Sequence, residues 1–513
     1  MRTIRIFDTT LRDGEQAAGG ALTLDEKMEV GRQLERLGVS VIEAGFPSTS
    51  PGDFEAVTRM SRELRDVEIA ALSGFRDYQI ERTWEALKDA ERPLLHTVIS
   101  TSDVHLQNQL NMTREEVVEL TRSTVELARR RCPHVEFSTM DATRTDPDYL
   151  VQVLATAIAA GATVVNIPDT VGYAMPAEFG SLVAYCMENV PGIDEVIVSV
   201  HCHDDLGHAV ANSLAGVVQG VAQVECTING VGERAGNASL EEIVMALRTR
   251  SDFYGADTAI DAREFYRTSR LVSNLMGMPV PPNKAIVGAN AFAHSSGLHQ
   301  DGMLKNSVNY EIMRPEDVGH HSSRIVLGKF SGRHAFRNHL RMMGVDIPDD
   351  DFQDVFDEFK RVADRKKEIT DQELEAIVGA RMRLQRQQRF KLELVQVSCG
   401  TFGVPTATVR ILVDDDPVQV AAMGDGPVDA VYKAIMSATG MDVELTDFSI
   451  SAVSESPDAL GEVVIRVEQG ERAATGHGVD TDILVASANA FVSGLNRLTA
   501  DVAVGRIPIQ HSV

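Results

Sequence analysis

Residues 196–207 read Val-Ile-Val-Ser-Val-His-Cys-His-Asp-Asp-Leu-Gly. The β-branched run Val196 to Val200 has the composition of a buried strand. Side chains alternate along a strand, so His201 and His203 share one face and Cys202 takes the other. Two imidazoles on one face, at the C-terminal end of a buried strand, make half of a metal site. Asp204, Asp205 and Gly207 then turn the chain out of the sheet. A pair of hydrogen-bonded surface histidines is the competing reading, and the rest of the chain decides against it.

Working outward, Ile4 to Asp8 form a first strand, and Thr9 to Gly20 a polar loop. A helix runs from about Leu24 to Leu37, where Gly38 is placed to end it. Val41 to Phe46 form a second strand. Further strands centre near Ala70, Val98, Phe137, Val165, Val200 and Cys226, with helices near 53–65, 78–88, 114–130, 147–160, 177–189, 208–220 and 240–250. Eight strand–helix pairs in about 250 residues predict an α/β fold with an N-terminal (β/α)8 TIM barrel. A doubly wound open sheet ranks lower, because so many strands end in polar residues.

A barrel places its chemistry at the C-terminal ends of the strands. Those ends hold Arg12 and Asp13, Glu43, His96, Ser138 and Asp141, Asp169 and Thr170, and His201 and His203. The loop after strand eight adds Glu233 and Asn237. Asp13, His201 and His203 offer one oxygen and two nitrogens, a set suited to a divalent metal ion. It does not choose among Mn2+, Mg2+ and Zn2+. Asn237 could add a weak fourth oxygen or brace a ligand. A substrate with a carboxylate next to a carbonyl could chelate such an ion, which would act as a Lewis acid on the carbonyl. Arg12 is placed to stabilise a developing oxyanion, and His299 with Glu233 could form a general acid/base pair.

The totals set bounds. A chain of 513 residues exceeds one core. With 75 Asp plus Glu against 49 Lys plus Arg, the formal charge is −26, which argues against nucleic acid and anionic membrane surfaces as partners. Five scattered cysteines without a Cys-x-x-Cys point to a reducing compartment, hence a cytoplasmic location. The N-terminus is expected to run straight into a strand with no signal peptide, and no apolar run is long enough to span a bilayer.

Past residue 250 the pattern changes. Residues 261–276 look helical, and Met276 to Asn283 form a Pro-rich connector. Helical linker subdomains follow, with a charged helical stretch over 350–388. From Lys391 two strand–strand–helix units are expected: strands at 391–397 and 406–413 before a helix at 428–439, then strands at 444–453 and 462–468 before a helix at 482–498. The expected division is a catalytic barrel over 1–275, linker subdomains over 276–390 and a C-terminal α+β regulatory domain over 391–513. That last domain carries no catalytic constellation. It reads as a dimerisation module or an effector-binding domain.

Asp8-Thr-Thr-Leu-Arg-Asp-Gly-Glu-Gln16 and Val198-Ser-Val-His-Cys-His-Asp-Asp-Leu-Gly207 resemble the two signature motifs of the 2-isopropylmalate, homocitrate and citramalate synthase family. The resemblance runs from near residue 3 to near 500. Ile42 to Pro47, Gly232 to Asn237, His299 to Gly302, Leu327 to Gly332 and Asp480 to Ser487 are most similar to the isopropylmalate branch. The resemblance implies an acyltransferase that condenses acetyl-CoA with 2-oxoisovalerate, the first committed step of leucine synthesis. A citramalate synthase using pyruvate is the alternative. It implies Asp13, His201 and His203 as metal ligands with Asn237 beside them, and Mn2+ as the first choice of ion. It further implies Arg12 on the ketoacid carbonyl, and His96, Ser138 and Thr170 lining the ketoacid pocket. His299 and Tyr310 match linker residues that reach into the partner subunit's barrel in a homodimer, with Glu233 pairing the histidine. The C-terminal domain matches a module that binds leucine as feedback inhibitor. The chain departs from the family at Met140, where a Glu is common, which removes a polar group from the expected pocket. A metal-dependent leucine sensor without catalysis is disfavoured, because Arg12, Glu233 and His299 are all retained.

Overall fold

The computed structural model describes residues 1–320, 323–365, 369–382, 389–400, 403–452, 461–470 and 472–499. Eight parallel strands close a barrel: β1 (Arg5–Asp8), β2 (Val41–Glu43), β3 (Glu68–Ser73), β4 (Pro93–Ser100), β5 (Val135–Met140), β6 (Val164–Asp169), β7 (Ile197–Cys202) and β8 (Gln223–Cys226). The seam is β1 on β8, with Asp8 opposite Cys226. Helices α1 (Leu24–Leu37), α2 (Pro51–Glu63), α3 (Asp77–Leu87), α4 (Arg114–Arg131), α5 (Pro147–Ala159), α6 (Pro176–Asn189), α7 (Ala209–Val218) and α8 (Leu240–Thr249) follow the strands in turn. Local chemistry sets their ends. Thr23 and Glu26 close a capping box on α1, and Gly38 terminates it at φ +87°, in the left-handed region that glycine enters without cost.

The strands' period of two builds the interior. Phe7, Val41, Ala70, Leu94 and Val164 are buried together, with Ile197 packed against them. Two residues further along, the same faces carry Thr9, Glu43, His96, Asn166 and Ser199, all buried, and β7 goes on to His201. An apolar plug therefore closes one end of the barrel, and a polar layer opens from it toward the strands' C-terminal ends.

The chain divides into two compact units. The first is 1–293 with 311–324, and includes α9 (Phe265–Met276). The second is 294–310 with 325–513. It holds α10 (Gly297–Lys305), α11 (Arg333–Met342), α12 (Asp349–Ala363) and α13 (Asp371–Met382), then two sheets. Phe336 stacks on Phe359 at 4.5 Å in the helical part. The expected helical stretch over 350–388 is two helices, and 366–368 and 383–388 fall outside the described residues. No helix among the described residues is long and apolar enough to cross a membrane.

The C-terminal region corrects one expectation. Each repeat is strand–strand–strand–helix: β9 (Phe390–Gly400), β10 (Gly403–Val413), β11 (Asp416–Met423) and α14 (Pro427–Thr439), then β12 (Glu444–Ala452), β13 (Gly461–Gln469), β14 (Arg472–Asp480) and α15 (Ile483–Thr499). β11 follows a tight turn in which Asp414 and Asp415 both have positive φ. β14 lacks the usual strand composition because α15 lies on its backbone. A Cβ on Gly476 would fall 2.0 Å from the Ala490 carbonyl, and one on Gly478 would fall 2.0 Å from that of Ala486. Residues 453 and 500–513 of the expected elements lie outside the described residues.

Asp8 gives a test of the barrel core. It is fully buried, and burial pushes its carboxyl up to about 7 against hydrogen bonds from Thr10 N at 2.9 Å and Thr10 Oγ1 at 3.0 Å. The folded protein keeps a proton that the unfolded chain has lost. Its contribution is therefore full below about pH 4 and is lost as pH rises to about 7. Trp84, the single tryptophan, packs against the barrel core and reports its unfolding. Between about pH 5 and 7, the barrel of Asp8→Asn should gain about 2 kcal/mol on the parent in denaturant titrations followed by Trp84 fluorescence. A difference that does not change with pH would show that Asp8 is already ionised at the lower value.

Candidate metal centre and active site

β7 delivers His201 and His203 to one side, and their Nε2 atoms lie 3.3 Å apart. Cys202 faces away and is buried. Asp13, from the loop after β1, brings Oδ2 to 3.9 Å from His201 Nε2 and 4.0 Å from His203 Nε2. Among the described residues these three form a set of possible metal ligands whose donor atoms all lie within 4.8 Å of one another. Two nitrogens that share an ion at about 2.1 Å sit about 3 Å apart, which fits the observed pair. Asn237 lies beside them, donating from Nδ2 to Asp13 Oδ1 at 2.9 Å and to the Val231 carbonyl at 3.1 Å. Its Oδ1 and His203 Nδ1 are buried without a hydrogen-bond partner. A buried oxygen without a partner, in a site with two imidazoles and a carboxylate, suits a cation. The donor set thus fits a divalent ion.

The electrostatics keep Asp13 and His203 in ligand form, while Glu225 and Asp13 raise His201 against the lowering effect of burial. Burial would raise the Asp13 carboxyl, but the Arg12 guanidinium and both histidines hold it well below the usual carboxylate range. Burial, with the neighbouring His201, lowers His203 to about 4 and leaves it neutral. Arg12 joins two carboxylates: Nε donates to Glu43 Oε2 at 2.6 Å and Nη1 to Asp13 Oδ2 at 2.6 Å. Glu43 also accepts from Thr9 Oγ1 at 2.6 Å and pairs with His96 Nδ1 at 2.6 Å. On the other side of the ring, His96 Nε2 lies 2.7 Å from Ser138 Oγ. Asn166 Nδ2 donates to Ser138 at 2.8 Å. The result is one buried chain, Asp13–Arg12–Glu43–His96–Ser138–Asn166.

The other expected residues fall as follows. Thr170 directly follows β6 and accepts from the Asp141 amide at 2.8 Å, which leaves its hydroxyl proton to donate elsewhere. Glu233 lies in the loop after β8, and its backbone N–H donates to Asp13 Oδ1 at 3.3 Å. His299 and Tyr310 belong to the second compact unit, where their rings stack at 4.2 Å. Met140 is half-buried at the end of β5. A cavity of about 400 Å³ opens beside Arg12, lined by Gln16, Leu22, Lys27 and Phe46 among others. Reading the sequence passes over Glu225, whose Oε2 lies 2.9 Å from His201 Nδ1. The available signal was Gln223-Val-Glu225, two polar residues on the inward face of a strand.

Three family signatures match the chain: HMGL-like over residues 3–272, homocitrate synthase post-HMGL domain-like over 286–367, and the LeuA allosteric (dimerisation) domain over 368–499. The barrel and its site therefore place the chain in the HMGL-like class. The 2-isopropylmalate synthase of Carboxydothermus hydrogenoformans is 54% identical over 98% of both chains. That of Pelotomaculum thermopropionicum is 53% identical over 97% of this chain and 99% of its own. Within the HMGL-like class, the chain belongs to the 2-isopropylmalate synthase family.

Gly232 tests the site's packing. A Cβ there would fall 2.0 Å from Asn237 Nδ2 and 3.0 Å from Asp13 Oδ1. Gly232→Ala should push Asn237 off Asp13 and weaken Mn2+ binding at least about tenfold in calorimetry, while the Trp84-reported unfolding stays near that of the parent. Unchanged affinity would show that Asn237 does not brace the ligand.

Proposed function

We propose that the chain condenses acetyl-CoA with 2-oxoisovalerate and hydrolyses the thioester, giving 2-isopropylmalate and free CoA, the committed step of leucine synthesis. The observation that carries this reading is the meeting of Asp13, from the end of β1, with His201 and His203, from the end of β7, in a chain of this family. Asp13, His201 and His203 would hold a divalent ion, Mn2+ first among the choices, with Asn237 beside it. When bound, that ion supplies Lewis-acid chemistry to the ketoacid carbonyl.

The chain's own residues supply the rest. Arg12 has Nε and Nη1 on carboxylates, which leaves Nη2 to donate to the oxygen that gains charge as the new carbon–carbon bond forms. His96, Ser138 and the free Thr170 hydroxyl proton orient the ketoacid. Glu233 and, from the linker of the other subunit in a homodimer, His299 serve as the acid/base pair: one of them takes a methyl proton from the acetyl group, and the resulting carbanion attacks the ketone carbon. Tyr310, stacked on His299, sets that ring's orientation. Water then cleaves the thioester and the thiol leaves. We further propose a cytoplasmic homodimer in which residues 276–390 complete the active site and 391–513 bind leucine as feedback inhibitor.

Thiol release with acetyl-CoA and a ketoacid panel tests the reading. 2-Oxoisovalerate should exceed pyruvate at least about tenfold in kcat/KM, a gap within the reach of a pocket that selects by side-chain size. A preference for pyruvate would instead favour citramalate synthesis. His203→Ala should lose at least about a hundredfold in kcat together with its metal, whereas Cys202→Ala should keep both. Full turnover by His203→Ala would overturn the metal-centred account.

A further inference from the structure

Glu225 and Glu136 lie inside the barrel next to the metal trio, and no step above uses them. Glu225, on β8, is 1% exposed, and Glu136, on β5, is 0% exposed. Glu225 Oε2 sits 2.9 Å from His201 Nδ1, and its Oε1 accepts from Ser199 Oγ at 3.2 Å. Glu136 accepts from Gln223, which also donates to the serine that holds Glu225. Gln223 Nε2 donates to Glu136 Oε1 at 3.2 Å and to Ser199 Oγ at 3.2 Å. The nearby Arg5 spends its guanidinium on Gln223 Oε1, at 3.2 Å, and on Glu68.

The geometry orders the donors. Gln223 Nε2 gives its two protons to Glu136 and Ser199, and the Ser199 hydroxyl gives its own to Glu225 Oε1. Glu225 Oε2 faces His201 Nδ1, where a carboxylate accepts an imidazole N–H.

We propose that Glu225 is a positioning residue for the metal centre, held by Ser199, and that Glu136 only braces Gln223 behind that serine. Accepting Nδ1–H from His201 fixes the tautomer that leaves the Nε2 lone pair aimed at His203 Nε2 and Asp13. The arrangement is a carboxylate–imidazole pair inside the barrel that leads to the Asp13, His201 and His203 cluster. It rests on the metal reading given above and adds two residues to it. Carboxylates behind a metal-bound imidazole raise its basicity and lock its ring.

The two glutamates separate cleanly by substitution. In Glu136→Gln the amide oxygen still accepts from Gln223, so the contact behind Ser199 survives. In Glu225→Gln the shape survives, but the charge behind His201 is lost. Calorimetric titration of Mn2+ into metal-stripped full-length protein should show Glu225→Gln about 10–100-fold weaker than the parent, and Glu136→Gln within about threefold of it. The Co2+ visible spectrum should shift in Glu225→Gln and match the parent in Glu136→Gln. Trp84-reported unfolding of the metal-free proteins shows that each variant is folded. Should Glu225→Gln fail to fold, Glu225→Asp, which retracts the carboxylate by one methylene, should show the same weakening. Parent-like Mn2+ affinity in the Glu225 variant overturns the proposal, as does an equal loss in Glu136→Gln. A parent chain that binds no divalent ion at all would instead overturn the metal reading beneath it, so the two failures are distinguishable.

Discussion

The guanidinium of Arg12 bridges Glu43 and Asp13, each at 2.6 Å, and the mouth of the barrel depends on that contact. Both carboxylates are buried and could not stay ionised side by side without a cation between them. Removing one partner from a buried pair costs on the order of 3–5 kcal/mol, because the charge left behind has no compensation. Asp13 without Arg12 would lose the largest of the interactions that hold its carboxyl down. Glu43 would lose the guanidinium that anchors it, and with it the fixed carboxylate that holds the His96 ring beside Ser138. The bridge therefore links the metal side of the site to the ketoacid side.

The barrel supplies this cluster through one geometric rule. Several strands place an apolar residue in the plug and a polar residue two positions later on the same face, as in Val41 and Glu43, Leu94 and His96, Val164 and Asn166. A core built this way buries charge as a consequence of its topology. The arrangement is tolerated because nearly every buried polar group in the layer has a partner. The exceptions, Asn237 Oδ1 and His203 Nδ1, lie at the ion site, and Asn166 Oδ1 lies beside Ser138.

Much of this was legible in the sequence because it depends on short-range periodicity. The strand at 196–200 and the histidines beyond it follow from alternation alone, and the helix ends follow from caps such as Thr23 and Gly38. Glu225 and Glu136 were missed because a glutamate within a strand ordinarily faces water, and only barrel closure turns these two inward. β14 was missed because its glycines, which lower strand propensity, are there to admit the backbone of α15. That requirement is set by a helix later in the chain and leaves no local signal. The Arg12 bridge was half legible: Arg12, Asp13 and Glu43 were all placed at the mouth, but their mutual geometry depends on the register of β1 on β2.

The central claim is that the ends of β1 and β7 together make one metal centre with two imidazole ligands. Pulsed electron paramagnetic resonance of the full chain loaded with one equivalent of Mn2+ tests this most directly, because coordinated imidazole nitrogens modulate the electron spin echo. The account predicts modulation from two directly bound nitrogens, reduced to one in His203→Ala. An echo without nitrogen modulation, or one unchanged in His203→Ala, would contradict it.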